Sequence, residues 1–172
     1  EAYDVVLTGG RNGYSECAAQ CDIIIGSGYS LNPNYLNNFK KDNETSSEMI
    51  WTLESDGTYT QNYGPTTVML NGQVGSIEKN GAAYGVGASG WGGALRIREQ
   101  FANQFAGSNY DNDVRNTIIS GTRPIEITDI ADRDQGYIVA KYSNVSSTGS
   151  VGSNSTFVDT DFPLFRLGDV FL

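Results

Sequence analysis

The amino-acid sequence predicts a single, loop-rich unit of the α+β class. Two stretches have the helical spacing of apolar residues, two have the alternation of a strand, and the long stretches between them are rich in Gly, Asn, Ser and Thr. The chain has 172 residues, of which 21 are Gly and 10 are Tyr. This composition favours ordered loops that carry aromatic rings over disorder.

The first helix is predicted at residues 15–25. Ser15 is the expected N-cap, and Gly26 and Gly28 are the expected stops. One side of the helix is apolar and needs a partner surface; it carries Cys17, Cys21, Ile24 and Ile25. We expect both cysteines to be small buried hydrophobic residues, because a disulfide between positions i and i+4 of a helix is geometrically awkward.

A short helix or turn and the first strand are predicted between residues 32 and 55. Residues 32–39 are expected to form a short helix or turn that directs Tyr35, Leu36 and Phe39 inward. Residues 48–55 alternate in hydrophobicity and predict a strand, on which Trp51 is expected in the core. Residues 55–93 show no sustained period.

Regular spacing returns in the second half of the chain. Residues 95–107 predict a helix with Ile97, Phe101 and Phe105 four apart and a stop at Gly107. Residues 137–144 predict a second strand, 143–156 a Ser/Gly/Asn loop, and 162–172 the beginning of another buried element. No internal repeat is visible.

Composition excludes several classes of function. The net charge is −9 without a cluster of Lys and Arg, so nucleic acid and anionic membrane surfaces are disfavoured. The chain has no histidine, which removes Ser-His-Asp and Cys-His catalysis and imidazole metal sites. We expect no catalytic residue, no bound metal and no cofactor.

Residues 84–93 contain a literal G-x-G-x-x-G between Gly85 and Gly90. A dinucleotide site of this kind needs a hydrophobic strand before the motif and a helix directly after it. A polar, glycine-broken stretch precedes this motif, and Trp-Gly-Gly follows it. We therefore interpret the motif as part of a glycine-rich loop and not as a phosphate site.

The glycine-rich loop is instead expected to hold aromatic rings. Gly90 and Gly92 flank Trp91, and Gly85 follows Tyr84, which leaves the two rings unshielded for stacking on the apolar face of a sugar. Similar polar loops carry further candidate ligand-binding rings, namely Tyr59, Tyr63 and Tyr110. For Trp91 a second interpretation stays open, in which the ring is a core anchor of an irregular region.

Acidic and sequon-like patterns are weaker signals. Residues 111–115 and 132–136 resemble fragments of calcium loops but lack their full spacing, so turns held by Asx hydrogen bonds are the better interpretation. A glycosidase would need two facing carboxyl groups, and nothing in the sequence singles out a pair. Asn43, Asn144 and Asn154 open N-x-Ser/Thr sequons.

Three stretches together resemble one family. Residues 159–172 ("DTDFPLFRLGDVFL") resemble the D-T-D-F-P signature of SusD-like (RagB/SusD) outer-membrane glycan-binding lipoproteins, with Gly168 where that family usually has Ala. Residues 14–51 are similar to its helix, turn and E-x-I-W strand. Weaker similarities lie at 112–118 and 137–144.

The resemblance implies a mainly α-helical fold with a tetratricopeptide-like superhelical scaffold. This chain would be a central-to-C-terminal fragment of it, an expectation that the non-Met start at Glu1 and the apolar end agree with. Residues 1–31 would be a scaffold helix and turn, 32–158 an irregular ligand-side region, and 159–172 the start of a scaffold helix.

The resemblance also implies a function without catalysis. The protein would capture oligosaccharides on the cell-surface side of the outer membrane, held by a lipid anchor absent from this chain, and deliver them to a SusC-like, TonB-dependent transporter. Two alternatives stay open: a surface protein that binds peptides or proteins, and a fragment of a glycoside hydrolase.

Overall fold

The computed structural model describes residues 13–74 and 80–172, and these form a mixed α+β structure, as predicted. Their α-helices are α1 (Tyr14–Ile25), α2 (Pro65–Gly72), α3 (Glu99–Ala102) and α4 (Leu167–Val170). Their strands are β1 (Met49–Leu53), β2 (Ile118–Ile119), β3 (Ile138–Val139) and β4 (Phe162–Arg166). Short 3-10 helices lie at Tyr35–Phe39, Asn43–Thr45, Gly81–Tyr84, Asn103–Phe105 and Ser108–Tyr110.

The strands form two small antiparallel sheets. β1 pairs with β4, with Leu53 opposite Phe162 and Met49 opposite Arg166, and β2 pairs with β3. The strand predicted at 48–55 is confirmed, and the one predicted at 137–144 is reduced to the two residues of β3. The element predicted to begin at 162–172 consists of β4 followed by α4.

Trp51 lies on the outer side of β1. Its side chain is 67% exposed, so the prediction of a core position is wrong. The pairing with β4 shifts register on both sides of Trp51, and the neighbouring Thr52 turns inward to donate a hydrogen bond to Asp161 (3.0 Å). Alternation separates the two faces of a strand but does not state which face is buried.

Helix α1 begins at Tyr14, and its N-cap is Gly13 without a capping side chain. The prediction of Ser15 as N-cap is therefore wrong, although the helix itself and its end at Ile25 are confirmed. Cys17 is exposed and Cys21 half-buried, which contradicts the expected burial of both cysteines. Within the described residues α1 contacts α4, a helix of only four residues that covers little of its surface.

The main hydrophobic cluster of the described chain is small. Its fully buried members are Phe39, Leu70, Val74, Val86, Tyr142 and Val158. Aromatic rings connect distant segments of the chain across it, since Tyr35 contacts Phe39 (ring centroids 5.1 Å apart), Phe39 contacts Tyr142 (5.4 Å), and Tyr142 stacks on Phe162 (6.4 Å). The inward direction predicted for Phe39 is confirmed.

Helix α2 lies in the stretch for which no regular element was predicted. Pro65 occupies its first turn, where a missing N–H costs nothing. The helix buries Leu70 together with polar and small residues, namely Thr66, Thr67, Asn71 and Gly72. Such residues have low helix propensity and no apolar period, so packing and not local preference holds this helix.

The helix predicted at 95–107 is shorter than expected. Only α3 is α-helical, and a 3-10 turn at Asn103–Phe105 continues it. The helical conformation ends at Phe105, two residues before the predicted stop, and Gly107, with φ of +107°, is instead the N-cap of the next 3-10 turn. Phe101 is 50% exposed, because this short segment packs on one side only.

Asn43 connects the first half of the chain to the residues before β4. Its Nδ2 donates to the carbonyl oxygens of Asn38 (3.1 Å) and Asp161 (3.0 Å), and its Oδ1 accepts from the Asp161 N–H (3.1 Å). Asn43 is 1% exposed, so these groups are paired away from water. The Asp161 carboxylate accepts from Thr52 and from the Ser55 N–H (2.9 Å).

Asn144 connects the loops in the second half of the chain, also through hydrogen bonds of its side-chain amide. Its Nδ2 donates to the carbonyl oxygens of Gly85 and Asn154 (both 3.1 Å), and its Oδ1 accepts from the Asp159 N–H (2.9 Å). Asn144 is fully buried. The residues 159–161 that begin the family-like signature are thus the meeting point of two buried asparagines.

Asp159 is the charged member of this network. Its carboxylate accepts from the N–H groups of Gly57 and Ser153 (both 2.7 Å) and from the Ser153 hydroxyl, and Lys41 lies 3.9 Å away. Burial alone raises the pKa of Asp159, but the hydrogen bonds from Ser153 and Gly57 and the charge of Lys41 outweigh it, so its pKa lies below the ordinary 3.8.

We predict that Asp159→Asn makes the free energy of unfolding less dependent on pH in the acid range. Because the pKa is lower in the folded state, the stabilisation by the carboxylate is complete above the unfolded pKa and is lost as the pH falls through the folded pKa. Urea unfolding between about pH 3 and pH 7 measures this dependence. The matched control is Asp111→Asn at an exposed position, and parallel profiles for wild type and Asp159→Asn would contradict the prediction.

Candidate functional site

The glycine-rich loop at residues 84–93 packs its backbone against neighbouring segments. Gly85 and Gly90 have positive φ angles of +75° and +43°. A Cβ at Gly85 would lie 2.5 Å from the Asn144 carbonyl oxygen, and one at Gly90 would lie 2.5 Å from a Val74 methyl group. Gly85 and Gly90, the first and last glycines of the G-x-G-x-x-G, are therefore required for close packing and for left-handed backbone.

Hydrogen bonds of the same loop fix the position of Trp91. The Trp91 N–H donates to the Asn71 carbonyl at the end of α2 (2.9 Å), and the Gly93 N–H donates to the Val74 carbonyl (2.9 Å). Arg133 donates from Nη1 to the Trp91 carbonyl (2.7 Å). Turns and not a helix follow the motif, which agrees with its interpretation as a loop.

Two of the predicted site residues meet here. The rings of Tyr63 and Trp91 have centroids 6.2 Å apart at an interplanar angle of 44°, and Tyr63 packs edge-on against Phe157 at 5.5 Å. Tyr63 is 68% exposed, whereas Trp91 and Phe157 are half-buried. We call Tyr63, Trp91 and Phe157 the aromatic surface.

Tyr59 extends from a turn close to the aromatic surface in sequence. Asp56 Oδ1 accepts from the Thr58 and Tyr59 N–H groups (2.7 and 2.8 Å), and this turn leaves Tyr59 86% exposed. Asp56 and Thr60 also line a groove of about 400 Å³. The rest of its lining is polar and mostly acidic, with Lys41, Glu44, Glu54, Ser55, Asp159 and Asp161.

Tyr84 and Tyr110 lie in other surroundings. Tyr84 packs against the hydrophobic core, and burial raises its pKa. Tyr110 contacts Phe105 at 5.9 Å, and Phe105 contacts Phe101 at 5.6 Å, which makes a separate aromatic group. Of the five predicted rings, the structure brings Tyr63 and Trp91 into contact, and the part of all five in ligand binding stays a prediction.

Sequence reasoning missed Phe157 and Arg133. Phe157 is an aromatic residue in a Ser/Asn-rich loop, and the criterion that selected Tyr59 and Tyr63 applies to it as well. Nothing in the sequence around Arg133 relates it to Trp91, since 42 positions separate them.

The two calcium-like fragments are turns with Asx hydrogen bonds, as predicted. Asp113 accepts from the Arg115 N–H and from its guanidinium, which lowers the pKa of Asp113 to about 2. Asp132 Oδ1 accepts from the Asp134 N–H (2.9 Å). In residues 13–74 and 80–172, no group of three or more His, Cys, Asp or Glu side chains is arranged to hold a metal.

Two of the three sequon asparagines, Asn43 and Asn144, are buried. Asn43 and Asn144 are 1% and 0% exposed and fully engaged in hydrogen bonds, so neither side chain is accessible for modification.

Within the part of the chain that the structure describes, no helix has the length and hydrophobicity that crossing a membrane requires.

The described chain thus presents exposed aromatic rings in polar loops on a mixed α+β scaffold. No family model matches this chain. The chain is similar to the starch-binding protein SusD of Bacteroides thetaiotaomicron, with 24% identity over a 206-residue alignment that covers 95% of this chain. This similarity shows a distant SusD-like relationship. The chain spans 37% of the length of that relative.

Proposed function

We propose that this protein captures oligosaccharides without transforming them. The observation that carries the proposal is the aromatic surface, in which Tyr63 and Trp91 lie 6.2 Å apart with Tyr63 largely open to solvent. Two neighbouring rings at an angle of 44° fit the C–H faces of successive sugar units of a curved glycan chain. The distant relationship to a starch-binding protein supports the same class of ligand.

Polar groups for the sugar hydroxyls lie in the loops beside the rings. The turn that bears Tyr59 forms one wall of the acidic groove, which offers the carboxylates of Glu44 and Glu54. Carboxylates accept two hydrogen bonds from adjacent hydroxyls of one ring, which gives orientation to a ligand that the aromatic rings hold by stacking.

The carboxylates that lie deepest in this groove have structural partners. Asp159 and Asp161 each accept hydrogen bonds from backbone N–H groups, those of Gly57 and Ser55 among them. A glycosidase needs one carboxyl group with a raised pKa as the acid, but the pKa of Asp159 is lowered. Asp159 is therefore unsuited to the role of that acid.

The wider setting of the proposal follows the family resemblance. We propose that the chain is a fragment of a SusD-like (RagB/SusD) protein, with scaffold at 1–31, a ligand-side region at 32–158 and the scaffold resuming at 159–172. The complete protein would have the tetratricopeptide-like fold, be lipid-anchored on the cell-surface side of the outer membrane, and pass its glycan to a SusC-like, TonB-dependent transporter.

Tryptophan fluorescence tests the proposal. A Trp51→Phe background leaves Trp91 as the reporter, because the chain has two tryptophans. The protein is titrated with maltoheptaose, xylohexaose, mannohexaose and laminarihexaose. We expect a saturable change with one glycan class, weakened by Tyr63→Ala by about 1–2 kcal/mol, which is roughly 5- to 30-fold.

The matched control for Tyr63→Ala is Tyr29→Ala, since Tyr29 is a partly exposed tyrosine outside the aromatic surface. Equal losses in both variants, or no change with any glycan, would refute the aromatic surface as a sugar site. In the second case a peptide or protein ligand becomes the better explanation. Release of reducing sugar during the titration would refute capture without catalysis.

A further inference from the structure

We propose that a second carbohydrate subsite, sized for one sugar ring, lies in the pocket between α3 and the β2–β3 sheet. This inference rests on the proposed function and adds a second binding position for the same class of ligand. The pocket has a volume of about 280 Å³. This is close to the lower end of the roughly 300–1,000 Å³ of small-molecule pockets, a size that suits one sugar ring of a ligand.

The lining of the pocket combines apolar and polar side chains. Ala102, Ala106, Ile118 and Ile125 supply the apolar surface, and the ring of Tyr137 adds to it. An apolar surface of this kind suits the C–H face of a pyranose ring.

Three further lining residues supply hydrogen-bonding groups. Asn116 donates from Nδ2 to the Tyr110 carbonyl at 3.3 Å, and Asn103 donates to Glu99 at 3.5 Å. The amide oxygens of Asn103 and Asn116 and the hydroxyl of Ser120 have no protein partner among the described residues. Two acceptors and one group that both donates and accepts are what a ring with several hydroxyls requires.

An exposed row of aromatic rings continues from the pocket. Phe105 lines the pocket and contacts Phe101 at 5.6 Å and Tyr110 at 5.9 Å. Phe101 is 50% exposed and Tyr110 37% exposed. The row presents ring faces to the sugar unit next to the one in the pocket, and it gives Tyr110 a role apart from the aromatic surface of Tyr63 and Trp91.

An NMR titration tests this subsite in the full chain. The side-chain amides of Asn103 and Asn116 report on the pocket, and the backbone amides of Tyr63 and Trp91 report on the aromatic surface. The probes are maltoheptaose, xylohexaose, mannohexaose and laminarihexaose. We expect saturable shifts of both pocket amides with a glycan, and we expect them to persist in Tyr63→Ala.

Ala106→Trp fills the pocket from an exposed position on its wall. We expect this variant to weaken binding at the pocket amides by about tenfold or more, because the indole occupies the volume of the sugar ring. Ala19→Trp, at an exposed alanine of α1, is the matched control and should leave these shifts unchanged.

The outcomes separate this inference from the proposed function. Shifts at Tyr63 and Trp91 without shifts at Asn103 and Asn116 overturn the second subsite and leave the proposed function standing. Pocket shifts that survive Ala106→Trp also overturn it. Shifts at neither place with any of the four glycans overturn both.

Discussion

Replacing Asn144 with Ala is expected to lower the free energy of unfolding by about 3–5 kcal/mol. The side chain is fully buried and pairs with three backbone groups, namely the carbonyls of Gly85 and Asn154 and the N–H of Asp159. Each of these groups is left without a partner in the variant, at a cost of about 1–3 kcal/mol per buried group. Relaxation of the surrounding loops and entry of water at the vacated position reduce the total cost of these unpaired groups.

Guanidinium unfolding followed by circular dichroism measures this loss. Asn112→Ala, at an exposed asparagine, is the control and should change stability by less than about 0.5 kcal/mol. Asn144→Asp keeps the shape and the acceptor but removes the Nδ2 donor, so it should also be clearly destabilising. A loss below about 1 kcal/mol for Asn144→Ala would contradict the assignment of Asn144 as the anchor of these loops.

The second large effect is expected for Glu48→Ala, at about 3–5 kcal/mol. Glu48 is 4% exposed and pairs with Arg166 at 3.1 Å. It also accepts from the Asn32 N–H (3.0 Å) and from Asn38 Nδ2 (2.8 Å). Without Glu48, the guanidinium of Arg166 stays beside the rings of Tyr35 and Phe39 without its closest counter-charge.

A double-mutant cycle distinguishes loss of the charge pair from loss of packing. Combining Glu48→Leu with Arg166→Leu removes both charges, so the double variant should be more stable than Glu48→Leu alone. Glu54→Ala, at an exposed glutamate of the same region, is the control. Equal stability of Glu48→Ala and Glu54→Ala would show that the pair contributes little.

Local sequence patterns predict the elements that depend on local chemistry. The end of α1 at Ile25 follows from Gly26 and Gly28, and the inward position of Phe39 follows from its spacing. The exposed position of Trp51 does not follow from the local sequence, because the irregular register between β1 and β4 determines which face of the strand is buried. Helix α2 also escapes detection, because Thr66, Thr67 and Asn71 gain their helical conformation from burial and not from propensity.

The candidate site also combines features that the sequence predicts with features that it does not. Aromatic residues flanked by glycine or polar residues mark Tyr63 and Trp91 as accessible rings, and that reasoning needs only neighbours in sequence. The contact of Tyr63 with Trp91 and with Phe157 depends on how three loops pack together. Asn144 and Asp159 arrange this packing through hydrogen bonds whose partners lie far apart along the chain.

The pairing of Asn43 with Asp161, and of Glu48 with Arg166, has a consequence for the order of events during synthesis. The members of each pair are 118 positions apart. A ribosome that adds about 5–20 residues per second needs about 6–24 s to make that length of chain. For this time β1 has no strand to pair with, and its exposed Trp51 and Leu53 are open to other nascent chains. The rate of translation, and any chaperone that shields β1 in the interval, therefore affects how much of this protein reaches the folded state.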